Sequence, residues 1–93
     1  MKTPEQLRLE AGLNVRQLAD LAGVSMSTVS RIEKAQTVRL QAVPLQKIGN
    51  ALRDRFLELG QKFETGKYIE VAIAMRDARL KSMKVATLEK GAA

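Results

Sequence analysis

Residues 15–34 read VRQLADLAGVSMSTVSRIEK, and this stretch decides the fold. Val15, Leu18, Ala19 and Ala22 recur at i, i+3, i+4 and i+7, the spacing that gathers apolar side chains on one face of a helix. Asn14, with Gln17 three residues on, suits the start of that helix, and Gly23 its stop. Ser25 then suits the cap of a further helix over 26–34, with Val29 and Ile32 facing inward. Two helices joined by so tight a turn cross at a steep angle. The crossing needs a small residue at the point of approach (Ala19) and a residue that tolerates positive φ in the turn (Gly23). It also needs Leu18, Val24, Val29 and Ile32 to lock one helix onto the other. Packing in a generic helical bundle would account for the apolar positions. It does not account for the spacing of Ala19, Gly23 and Val24 together with an outer face of Ser27, Thr28, Ser30 and Arg31.

Upstream, Thr3-Pro4-Glu5-Gln6 carries the marks of a helix start: a capping threonine, proline in the first turn and glutamine to complete a capping box. Leu7, Leu9 and Ala11 are expected to face inward, and Gly12 to end the helix. Downstream, 35–42 reads as a loop that carries Arg39. A fourth helix starts near Val43-Pro44 with Leu45, Ile48, Ala51 and Leu52 on its core face. The pattern continues through Phe56, Leu59 and Phe63 to Gly66, as one long helix or two short ones. Residues 68–74 alternate weakly, as a strand would. Yet Ile69, Ile73, Arg76, Leu80, Met83 and Thr87 fall at helical spacing in an Ala-, Met- and Arg-rich run, which favours helix over 68–88.

Composition narrows the function. Ninety-three residues fit one compact domain with a short extension. There is no Cys and no His, so disulfides, thiolate metal sites and the commonest general base are all lacking. No Gly-rich phosphate loop and no G-x-S-x-G occurs. No catalytic site, metal or cofactor is therefore expected, and the protein does not read as an enzyme. The opening MKTPEQLRLE lacks the apolar run of a signal peptide, and no stretch approaches the ~20 apolar residues of a membrane span, so a cytoplasmic protein with no membrane contact is expected. The net charge is +6, and nine basic against five acidic residues fall in 1–55. Such a balance suits a polyanionic partner, with an ordinary solvated surface as the plain alternative.

Residues 4–53, from LRLEAGLN through SRIEK to LQKIGNAL, resemble the lambda-repressor-like Cro/CI family of helix-turn-helix proteins, also called the XRE family. The resemblance implies an all-α, lambda-repressor-like helix-turn-helix bundle whose third helix lies in the major groove, here with a C-terminal helical extension. The expected division is 1–55 for the DNA-binding domain and 56–93 for the extension. The resemblance also implies a pair between a basic residue of the first helix and a late Glu of the third, here Arg8 and Glu33. Three positions depart from the family pattern. Val15 stands where a phosphate-touching Gln is usual, so that contact passes to Arg16 or Gln17. Ala35 replaces the Gly that usually follows the recognition helix. Arg53-Asp54-Arg55-Phe56 replaces the usual turn after the fourth helix, so a fused or displaced fifth helix is expected.

Met26, Ser27, Thr28, Ser30 and Arg31 are the expected base-contacting set, and by resemblance Met26, Ser27 and Arg31 occupy the family's reading positions. Arg31 can donate two bonds to guanine O6 and N7, a contact worth about 1–3 kcal/mol in discrimination. Small side chains beside it let the helix axis sink toward base edges. Arg16, Gln17, Lys34, Thr37 and Arg39 are the expected phosphate contacts, joined by the N–H groups at the start of the second helix. Phe56, Leu59, Phe63, Ile69, Ile73, Leu80 and Met83 offer more apolar surface than a small domain buries alone. They are expected to form a homodimer interface, with folding back onto the same domain as the alternative. Double-stranded DNA is the expected partner and repression of a palindromic operator the expected role. The alternative is an antitoxin whose C-terminal segment also binds a toxin protein.

Overall fold

The computed structural model describes residues 2–36 and 39–92, with side chains for 2–36 and 39–82. Five helices follow in order: α1 (Pro4–Glu10), α2 (Val15–Ala22), α3 (Met26–Glu33), α4 (Ala42–Glu58) and α5 (Thr65–Ala92). No strand occurs among the described residues, so 68–74 is helical and the fold is all-α. The first three helices start on local side-chain chemistry. Thr3 and Gln6 form one capping box, Asn14 and Gln17 a second, and the Ser25 hydroxyl accepts from the Thr28 N–H at 3.1 Å.

Their ends share one geometry. After each of α1 to α4 the chain passes through a left-handed residue: Gly12, Gly23, Ala35 and Gly60. At α3 the Ala35 N–H donates to the Ile32 carbonyl (3.1 Å) and the Gln36 N–H to that of Arg31 (3.0 Å), which is the Schellman pairing that closes the orphan carbonyls of a helix end. Ala35 fills, at φ 51, a place that elsewhere takes glycine.

The sequence left open whether the fourth helix runs on to Gly66. It does not: α4 ends at Glu58, Gly60 turns the chain, and α5 begins at Thr65. The two helices approach closely at their seam. A Cβ on Gly49 would lie 2.7 Å from Thr65 Cγ2 and 2.9 Å from the Thr65 carbonyl oxygen, and the Thr65 hydroxyl donates to Asn50 Oδ1 at 2.8 Å.

One core joins all five helices. Leu7, Leu18, Val29, Ile48, Leu52, Phe56, Tyr68 and Val71 belong to the same buried cluster. Leu9, expected inside, is 58% exposed, because Leu7 and Ala11 define the inward face of α1 and Leu9, two residues from each, points away from it. Phe56, expected in a dimer interface, lies instead inside the protomer, 4.9 Å from the ring of Phe63 between centroids. Phe63 and Ile69 pack partly against the same core, Leu80 is half-buried, and Leu59 and Ile73 remain exposed. The side chain of Met83 lies outside the described residues.

Candidate nucleic-acid interface

The turn of Gly23, Val24 and Ser25 sets α3 across α2 and leaves one face of α3 outward. Val29 and Ile32 anchor the inward face, and Val24 packs against the core from the turn. A second anchor is polar. Arg8 Nε donates to Glu33 Oε2 (2.8 Å), Arg8 Nη2 to Glu33 Oε1 (3.1 Å) and Arg8 Nη1 to the Leu13 carbonyl (2.9 Å). One buried guanidinium thus ties α1, the turn before α2 and the last turn of α3 together. The hydrogen bond to Glu33 raises the pKa of Arg8 above its ordinary value, against the opposing effect of burial. Tyr68 of α5 is fully buried beside this pair, and its phenol is held above its usual pKa by burial first and by the charge of Glu33 second. Its hydroxyl has no hydrogen-bond partner among the described residues.

On the outward side, Met26, Ser27, Ser30 and Arg31 line a single shallow depression together with Val15 and Gln36. Four of the five expected base-contacting residues are therefore brought together. Thr28 is set apart: its hydroxyl is bonded to that of Ser25 at 2.8 Å, and it faces a neighbouring cleft with Arg31, Arg39, Leu40, Gln41 and Pro44. Arg31 borders both hollows. Met26, half of its surface exposed, presents an apolar end suited to a thymine methyl.

Of the expected phosphate contacts, Arg39 lines the cleft that also holds Thr28 and Arg31. Arg16 is exposed in the first turn of α2, beside Val15. The Gln17 side-chain oxygen accepts from the Asn14 N–H at 2.9 Å, which leaves its NH2 to donate outward. Lys34 and Arg39 are exposed. Thr37 lies outside the described residues. Gln36 was not anticipated. The signal for it was present at Ala35: a helix that ends in a left-handed residue there turns the next side chain back along α3.

A short turn, a locked second helix and a small polar outward face define a helix-turn-helix DNA-binding domain. Comparison with known families matches residues 5–53 to a helix-turn-helix domain, and the chain belongs to that family. This agrees with the resemblance to Cro/CI (XRE) proteins. No curated protein and no solved structure matches this chain. Among the described residues no helix is long and apolar enough to cross a membrane, and no group of three or more His, Cys, Asp or Glu could hold a metal ion.

Proposed function

We propose that this protein is a sequence-specific transcriptional regulator, a homodimeric repressor that occupies a palindromic operator through α3. One observation carries the reading: Met26, Ser27, Ser30 and Arg31 share one outward hollow on a helix whose other side is locked by Val29, Ile32 and the Arg8–Glu33 pair. Small polar side chains around one planar cation suit base-edge recognition, where Arg31 reads guanine and Ser27 and Ser30 bond bases or phosphates. A non-specific binder relies on dense Lys and Arg instead. Arg16, Gln17, Lys34 and Arg39 set register on the backbone.

One such module reads few base pairs, and pairing two modules about one helical turn apart (~34 Å) supplies selectivity. The exposed Leu59 and Ile73, with Leu80 beyond them, support an interface along α5, whose 28 residues reach about 42 Å. Selection of preferred DNA from a random pool tests this. The reading expects two inverted half-sites in the enriched sequence. Enrichment of a lone half-site would contradict the dimer, and no enrichment would contradict sequence reading. A second protein that co-purifies on α5 would favour the antitoxin role.

A further inference from the structure

The family match ends at residue 53, yet α5 returns to the recognition helix. Arg79 Nη1 donates to the carbonyl of Lys34, the residue that caps α3, at 2.9 Å. One α-helical turn earlier, Arg76 lines a hollow with Leu40, Ala42 and Ile73. Leu40 also lines the cleft that holds Thr28, Arg31 and Arg39. A continuous surface therefore runs from the outward face of α3, across the loop after it, onto α5. Arg31 and Arg39 on this surface are exposed cations, and Lys34 and Arg79, joined through the Lys34 carbonyl, are exposed as well.

We propose that α5 extends the DNA-binding surface past the helix-turn-helix, with Arg79 as a contact to the phosphate backbone flanking the bases read by α3; this rests on the function proposed above. A guanidinium has five N–H donors, and the Lys34 carbonyl takes one of them. The anchored side chain is held in place while its remaining donors are open to a phosphate, so little rotamer freedom is lost on binding. The anchor itself is favourable, because a cation at a helix C-terminus opposes the partial negative charge of the last carbonyls. That cap is the competing explanation for Arg79, and it makes a different prediction. A cap supports α3 without neutralising a phosphate, whereas a phosphate contact adds to the number of counterions that DNA releases.

The test is the salt dependence of binding to the preferred DNA and to unrelated DNA, for the full chain and for Arg79→Gln and Arg79→Lys. Gln removes the charge and keeps a polar side chain; Lys keeps the charge. The proposal expects Arg79→Gln to weaken both DNAs alike and to lower the slope of log K against log salt by about 0.9 for each protomer bound, with Arg79→Lys restoring it. An unchanged slope in Arg79→Gln overturns the proposal, including the case where affinity for the preferred DNA alone falls. A wild-type chain that binds neither DNA overturns the function on which the proposal rests.

Discussion

Arg8 and Glu33, 25 residues apart in sequence, meet as a buried, two-pronged ion pair that fixes the last turn of α3 to the first helix of the chain. Both side chains are less than a tenth exposed. The geometry satisfies both carboxylate oxygens and places the third guanidinium nitrogen on the Leu13 carbonyl. Cutting one partner leaves the other charge buried and unpaired.

Arg8→Ala is therefore expected to destabilise the fold by about 3–5 kcal/mol, and a paired replacement of Arg8 and Glu33 by apolar residues to recover much of that loss. Thermal melts of the single and double variants check it. The discrimination between DNA sequences by whatever protein remains folded should change little, because neither residue faces the outward hollow.

Tyr68 gives the fold a sensitivity to alkali. It is the only tyrosine in the chain, and burial raises its pKa when folded, whereas the unfolded phenol titrates near 10. Above about pH 10 the unfolded state loses a proton that the folded state retains, so stability falls by about 1.4 kcal/mol per pH unit. Below that pH both states hold the proton and the contribution is constant. Tyr68→Phe should remove the decline and, since the hydroxyl has no partner among the described residues, cost little at neutral pH. Denaturant midpoints of both proteins across the alkaline range measure this.

Ala35 sits at positive φ and is buried. Ala35→Gly relieves about 1–2 kcal/mol of left-handed strain. It also adds ~0.4–1 kcal/mol of chain entropy to the unfolded state and loses a buried methyl worth ~0.8 kcal/mol. The terms nearly cancel, so a melt close to wild type is expected. Ala35→Val keeps the strain and adds a β-branched side chain, and should lose about 1–3 kcal/mol.

Gly49→Ala drives a methyl into the backbone and side chain of Thr65. A loss of about 1–3 kcal/mol is expected from overpacking at the seam of α4 and α5. A melt unchanged from wild type would show that this seam is looser than described.

The parts of this fold with short-range causes were readable from residues. Caps at Thr3, Asn14 and Ser25 depend on a neighbour three positions away, and the crossing of α2 and α3 on the Ala19 and Gly23 spacing. The Arg8–Glu33 pair came from the family resemblance, since no local pattern joins residues 25 apart. What escaped were consequences of tertiary contact. Phe56 and Phe63 looked like surplus apolar surface because the return of α5 onto α4 was not visible in periodicity. The burial of Tyr68 was hidden for the same reason. In the site, the outward face of α3 was legible from its polarity. Gln36 at its rim was not, because a turn brings it there, and neither was the bond of Arg79 to the Lys34 carbonyl, which a helix from elsewhere in the chain delivers.

The central claim is that the outward face of α3 reads base sequence, and Arg31→Ala tests it most directly. Affinities of wild type and variant should be measured on the selected site, on that site with single base pairs exchanged, and on unrelated DNA, at one fixed salt concentration. Wild type is expected to prefer its site at least ~10³-fold over unrelated DNA. The variant is expected to lose about 1–3 kcal/mol for each half-site of the preferred DNA and to become indifferent to one base pair in each half-site. A variant that keeps the wild-type ratio at every exchanged position would contradict the account, and would make Arg31 a phosphate clamp with sequence read elsewhere.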